Sequence, residues 1–191
     1  AFMKALSGVA ADSLVSNSRA EFRENILFTH RGLSGPAILQ ISSYWEQGED
    51  VRINLFPEIT DLASWLIQAK KTKAKQSFKA ILDGYLPSRL ASALLSDQSC
   101  PIGEVSNKVI MELANQLSRW NLKPVGTEGY AKAEVTKGGV NTSMLHSRTM
   151  ECKKVPGLYF IGECVDVTGW LGGYNFQWAW ASGSAAGQAL V

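Results

Sequence analysis

The amino-acid sequence predicts an α+β fold in several parts: a β-rich portion, an all-helical block, and a C-terminal strand–turn–helix. Three observations predict it. The first thirty residues and Val51–Phe56 alternate apolar and polar side chains over short runs. Residues 60–120 carry apolar residues at helical spacing. After Pro124 the texture returns to short strand-like runs and glycine pairs. With 191 residues, 46% hydrophobic and 19% charged, the chain has enough apolar surface for a packed core. That excludes a disordered chain or a disulfide-stapled mini-protein.

Taken in order, Ser13–Ser16 and Asn25–Thr29 read as strands, followed by a turn over Arg31–Gly35. Pro36 stands where a helix starts, its missing N–H costing nothing there. Ala37, Ile38, Ile41 and Trp45 then recur at helical spacing, which predicts an amphipathic helix over 36–45. Val51–Phe56 alternates as a strand closed by Pro57. Thr60 and Asp61 are caps for a helix through Lys71, with Leu62, Leu66 and Ala69 near one face. Lys70–Lys79 holds five lysines and reads as a solvated corner. Residues 78–95 form two helical pieces broken at Leu86-Pro87. Val105–Trp120 is a further helix with Val109, Leu113, Leu117 and Trp120 on one stripe.

Beyond Pro124, Tyr130–Thr136 alternates like a strand ending at Gly138-Gly139. Leu158–Ile161 reads as a buried strand after the turn Val155-Pro156-Gly157, and a helix runs from about Asn175 to Leu190. No apolar run approaches the roughly eighteen residues that cross a bilayer, and no signal peptide opens the sequence. A net charge of +2 argues against nucleic acid or membrane as the main partner. Cys100, Cys152 and Cys164, an odd count without C-x-x-C spacing, fit reduced thiols of a cytoplasmic protein with no metal site. The start at Ala1, in mid-pattern and without an initiator Met, predicts an excised piece.

Chemistry concentrates at the C-terminal end, where three of six tryptophans (Trp170, Trp178, Trp180) share the last twenty-two residues. Gly162-Glu163 follows the predicted strand, and Asp166, Gly169, Gly172 and Gly173 lead into a helix of small residues. A glycine-rich turn lets a backbone approach a ligand, and a helix N-terminus offers unpaired N–H groups and partial positive charge. The same glycines also suit plain turns and close packing, and both readings stand at this point. No G-x-G-x-x-G occurs anywhere, so the ordinary dinucleotide fingerprint is absent.

Three blocks carry a resemblance. Gly157-Leu-Tyr-Phe-Ile-Gly-Glu163 with Asp166-x-x-Gly169-x-x-Gly172-Gly173-Tyr174-Asn175-x-Gln177-x-Ala179 is similar to the C-terminal motif of the YhiN/BaiN-type NAD(P)/FAD-dependent oxidoreductases. Leu27–Pro36 agrees, as does Ala133–Val140 followed by Thr149–Lys154. The resemblance implies an insert domain joined to the closing segment of a Rossmann-like FAD domain. Its expected partition is 1–59 for the β-rich part of the insert, 60–121 for the helical block, 122–148 for return strands and crossover, and 149–191 for the FAD-domain segment. The phosphate-binding N-terminal FAD domain of the same parent chain would be missing and would be the partner of this piece. Alone, the piece would bind FAD weakly or not at all and would be inactive.

By the same resemblance, Gly162 and Glu163 match a turn near the ribityl and pyrophosphate region of FAD. Gly172, Gly173, Tyr174 and Asn175 match the turn facing the flavin pyrimidine edge, and Asp166 lies in the motif. Thr136, Gly138 and Gly139 match the crossover near the isoalloxazine ring. The implied activity is FAD-mediated hydride transfer with an unknown small-molecule substrate and NAD(P)H as a reductant.

No catalytic residue is assigned by the motifs; His30, after a predicted strand and beside Ser34-Gly35-Pro36, is the candidate for moving a proton. The alternative for His30 is that it ties the turn by hydrogen bonding. His146 reads as a surface residue, and Cys164 as a small packing residue rather than a redox centre. Trp178 and Trp180 stand two positions apart and cannot share a helix face, so one packs inward. Two rival functions are a non-enzymatic interaction module using the helical block and a fumarate-reductase-like flavoprotein. The second should carry substrate-binding arginine and histidine motifs that the sequence lacks.

Overall fold

The computed structural model describes residues 2–95 and 100–190. The chain is a mixed α+β protein that divides into two compact units, Ala1–Gly126 and Thr127–Val191.

The first unit is built on a five-stranded antiparallel sheet of order β3-β2-β1-β4-β5. Its strands are β1 (Ala10–Ser16), β2 (Glu21–Phe28), β3 (Leu33–Ser34), β4 (Val51–Asn54) and β5 (Trp120–Leu122). Period-two alternation decides which face is buried: Ala11, Ser13 and Val15 of β1 point inward, and Asp12 points out. Register aligns Phe22, Val15, Ile53 and Trp120 in one row across four strands. The buried Ser13 hydroxyl donates to the Ala11 carbonyl. On the outer face Arg23 reaches Glu58 and Asp12, and those hydrogen bonds raise its pKa above the ordinary arginine value.

A short helix α1 (Phe2–Ala5), which the sequence reading did not foresee, carries Phe2 onto Phe28 and Trp120. Helix α2 (Pro36–Ser42) starts at the expected proline and buries Ala37 and Ile41. Its cap Gly35 has φ +92°, and a Cβ there would lie 2.7 Å from the Asn25 carbonyl oxygen. Only glycine lets the chain pass so close to β2.

The helical block contains α3 (Leu62–Thr72), α4 (Phe78–Leu82), α5 (Ser88–Leu94) and α6 (Asn107–Ser118). Residues 96–99 of the expected block lie outside the described residues. Asp61, Ser77 and Ser106 cap α3, α4 and α6 by accepting from the backbone N–H three residues on. The break at Leu86-Pro87 separates α4 from α5 as read. On α6 the expected stripe is rotated: Ile110, Ala114 and Leu117 are buried, while Val109 and Leu113 are half-buried beside them. Trp120 has left the helix for β5, because α6 ends at Ser118 and the chain pairs with β4.

The second unit is irregular apart from α7 (Tyr174–Ala189). Two expected strands are corrected here. Residues 130–136 form no strand; Gly129–Ala131 is a 3-10 turn whose Gly129 carbonyl accepts from Lys132 and Ala133, and Tyr130 is exposed. Residues 158–161 are extended but pair at one point only, Tyr159 with Glu151. Two backbone bonds hold that pairing, Cys152 N–H to Leu158 O and Phe160 N–H to Met150 O. No second strand flanks the segment among the described residues, so Leu158 and Ile161 stay 40% and 45% exposed rather than buried. The unit's small core is Leu145, Met150, Val165 and Ala186. No helix of the described residues is long and apolar enough to cross a membrane.

Candidate functional site

Most of the sequence-predicted site residues lie in the second unit, where a set of backbone contacts brings three glycine segments together. The first contact is between residues 136–140 and 164–168. Val140 N–H donates to the Cys164 carbonyl at 2.8 Å, and Asp166 N–H donates to the Val140 carbonyl at 2.9 Å. Val140 and Val165 form a parallel bridge, with Val165 buried. A Cβ on Gly139 would lie 2.5 Å from the Cys164 carbonyl oxygen, so this crossing requires glycine. The Asp166 carboxylate accepts from Gly138 N–H at 3.1 Å, and Thr168 Oγ1 donates to the Thr136 carbonyl at 3.3 Å. Asp166 therefore orders residues 136–140 from the facing segment.

The second contact clamps Gly162 to α7. The Ser182 hydroxyl accepts from Gly162 N–H at 2.9 Å, and the Trp178 indole N–H donates to the Gly162 carbonyl at 2.9 Å. Ser182 and Trp178 are four positions apart on α7, so they reach the same residue, one at its N–H and the other at its carbonyl. Ser182 is 2% exposed, and its hydroxyl donates in turn to the Trp178 carbonyl. Trp178 is thus the inward tryptophan, while Trp180 is 78% exposed, as the spacing requires.

The third contact closes the loop onto the start of α7. The Asn175 side chain accepts from Gly169 N–H at 2.7 Å and donates to the Gly169 carbonyl at 3.1 Å. Helix α7 begins at Gly173, a left-handed cap with no side-chain cap hydrogen bond. The cap residue thus supplies no side-chain acceptor to the first-turn N–H groups, and a sixteen-residue helix stands behind them. Such an end accepts an anion or a polarised carbonyl oxygen. Tyr174, the first residue of α7, is exposed, as is Glu163.

His30 belongs to the first unit and is exposed. It does not tie its turn. Thr29 does so, its hydroxyl accepting from Arg31 N–H and Gly32 N–H while its backbone N–H donates to Gly32 O. Cys164 is exposed rather than packed, and its thiol donates to the Ile161 carbonyl. His146 is exposed, as read. Among the described residues no group of three or more His, Cys, Asp or Glu is placed to hold a metal ion. Sequence reading missed the Ser182–Trp178 clamp and the Asn175–Gly169 pair. The i,i+4 spacing of Trp178 and Ser182 was the visible signal, but nothing local said that its target was Gly162.

The chain belongs to the HI0933-like family: the family described as HI0933-like protein barrel and H2TH domain matches residues 1–135. It is 53% identical over 195 aligned residues to a protein of Escherichia coli strain K12 named ribosomal RNA dihydrouridine synthase, covering 99% of this chain and 48% of that protein. A Haemophilus influenzae protein of the same name is 45% identical, over 99% of this chain and 48% of its own length. A Clostridium scindens protein named 3-dehydro-bile acid delta(4,6)-reductase is 32% identical, over 100% of this chain and 50% of its own length. The chain spans about half the length of the curated relatives it matches.

Proposed function

We propose that the protein containing this chain is a flavin-dependent reductase that saturates the C5=C6 bond of a uridine in ribosomal RNA, using NAD(P)H as reductant. The observation that carries this reading is identity of 53% and 45%, along 99% of the chain, to two proteins named ribosomal RNA dihydrouridine synthase. The more distant relative supports the chemistry from another side. Dihydrouridine synthesis and a delta(4,6) reduction both add two hydrogens across a carbon–carbon double bond. In uridine, and in a 3-oxo steroid unsaturated at those positions, the bond is conjugated with a carbonyl. Conjugation makes the far carbon electrophilic, so hydride adds there and a proton adds next to the carbonyl. In this proposal RNA replaces the unknown small-molecule substrate that the resemblance implied, against the low net charge, because the two more similar relatives are named for ribosomal RNA.

The flavin of this proposal is FAD, and it is supported in this chain by unobstructed backbone at Gly138 and Gly173, where a Cβ would meet nothing within 4 Å. When bound, the flavin would supply the two-electron chemistry, with NAD(P)H as the source of hydride and uracil C6 as its acceptor. The first-turn N–H groups at Tyr174 and Asn175 would stabilise negative charge on the pyrimidine edge. Gly162 and Glu163, held by Ser182 and Trp178, would line the ribityl side, and Thr136–Gly139, ordered by Asp166, would line the ring. Pyrophosphate contacts are assigned to parts of the protein outside this chain.

Purified full-length protein should show flavin absorbance, and ribosomal RNA from a strain lacking the gene should lose a dihydrouridine that wild-type protein restores. Mass spectrometry of digested ribosomal RNA reads that modification. A colourless protein that takes up no FAD on titration, or RNA unchanged by the deletion, sinks the reading. Gly173→Val separates it from an interaction module. Flavin lost from a folded variant supports the enzyme, whereas retained flavin with lost partner binding supports the module.

A further inference from the structure

We infer that the lysine corner formed by Lys71, Lys73, Lys75 and Lys108 docks the phosphate backbone of the RNA substrate; this rests on the ribosomal RNA reading above. The net charge of +2 conceals a strong partition. Residues 60–123 hold nine Lys and Arg against five Asp and Glu, whereas residues 1–59 hold five against seven. The cations of the sheet are also largely neutralised. Arg19 pairs with Glu46 and Glu49, and Arg23 pairs with Asp12 and Glu58. Within the block, Lys79 pairs with Asp83 at 2.6 Å. Lys71, Lys73, Lys75 and Lys108 are exposed and form no ion pair among the described residues.

These lysines stand on one fixed piece of backbone. Lys70 Nζ donates to the Val105 carbonyl at 2.6 Å and to Asn107 Oδ1 at 3.2 Å, which seats the end of α3 beside the start of α6. The turn after α3 is held by Gly103 N–H on the Ala74 carbonyl at 3.0 Å and Ile102 N–H on the Gln76 carbonyl at 2.8 Å. A Cβ on Gly103 would lie 2.8 Å from that Ala74 oxygen, so the two segments are in close contact. Little backbone ordering remains to oppose binding. Local helix electrostatics account for only part of the cluster. Lys70 and Lys71 suit the negative C-terminal end of α3. Lys73 and Lys75 lie beyond that helix, and Lys108 sits in the first turn of α6, where a cation opposes the dipole. The carboxylates close by in sequence are Glu104, before α6, and Glu112, one turn along it. Unpaired cations on a rigid corner, added to a positive helix end, form a surface for a polyanion.

The test uses the full-length protein and protein-free ribosomal RNA in filter binding across a salt series. K71Q/K73Q/K75Q should weaken binding and make the slope of log affinity against log salt shallower by about two to three, near one per lost phosphate contact. K108Q alone should shift the slope by about one. Flavin spectrum and thermal midpoint should match the wild type, since all four side chains are exposed. Wild-type binding with variants equal to it overturns the docking surface and leaves the uridine reading intact. Wild-type protein that neither binds nor modifies ribosomal RNA overturns both. Variants that lose only binding to anionic lipid vesicles overturn the RNA assignment of the corner.

Discussion

Phe28 on β2 and Trp120 on β5 stack with ring centroids 6.2 Å apart and 19° between planes, although β1 and β4 lie between their strands. Three inter-strand steps in a flat sheet would separate the strands by about 14 Å. The sheet therefore curls, and the aromatic pair, with Phe2 edge-on to both rings, fills the concave side. Trp120→Ala should cost about 2–4 kcal/mol, at or below the usual range for a ring lost from a core because this one is half-buried. Trp120→Phe should recover most of that. Urea unfolding at constant m-value measures both, and equal stability of the two variants would contradict the stacking role.

Gly35→Ala should be more damaging than its size implies. The position has φ +92° and ψ 166°, a region reserved for glycine, and its Cβ would meet both the Asn25 oxygen and the Leu27 nitrogen of β2. Backbone strain of about 1–3 kcal/mol adds to overpacking of similar size. Loss of roughly 3 kcal/mol or more is expected from denaturant melts. A loss below about 1 kcal/mol would show that β2 and α2 can separate at little cost.

Much of this architecture was legible locally, for reasons these residues illustrate. Pro36, Asp61 and Pro87 mark boundaries through their own backbone chemistry, so α2, α3 and the α4–α5 break followed from single positions. Gly35 was legible as a turn but not as a packing requirement, because the oxygen it approaches belongs to Asn25, ten residues back. Strand β5 was missed because Trp120-Asn121-Leu122 has no pattern of its own and exists through pairing with β4. The extended run at 158–161 failed in the opposite way: its apolar content promised a buried strand, but one bridge is all the pairing that the described residues supply. In the candidate site the glycines and Asn175 were readable, whereas the bonds from Asn175 to Gly169 and from Ser182 to Gly162, which fix the turns, join residues of α7 to turns before it and had no local signal.

Ser182→Ala should loosen the Gly162 turn without unfolding the first unit. The variant deprives Gly162 N–H of its acceptor in a part-buried setting, a loss of about 1–3 kcal/mol. Amide hydrogen exchange at Gly162 should accelerate. If the flavin reading is right, the variant should also carry less flavin as purified, with its far-UV circular dichroism unchanged. Unaltered exchange at Gly162 would remove Ser182 from any positioning role.

The cap on α3 supplies a pH test with a definite sign. Asp61 accepts from the Ser64 hydroxyl at 2.6 Å and the Ser64 N–H at 3.0 Å, and these bonds hold its carboxyl below the ordinary aspartate value. In the unfolded chain the group titrates near the usual value of about 3.9. A carboxyl depressed by folding adds stability that is complete above the unfolded pKa and is lost as pH falls through the folded one. Asp61→Asn keeps an acceptor at the cap but cannot ionise. The wild type should therefore melt slightly above D61N at pH 7, and the gap should close below about pH 4, as Asp61 takes up its proton. The effect is small because the group is exposed. Thermal midpoints of the two proteins between pH 7 and pH 3 decide it, and a gap constant over that range would mean that the charge on Asp61 contributes nothing to holding α3.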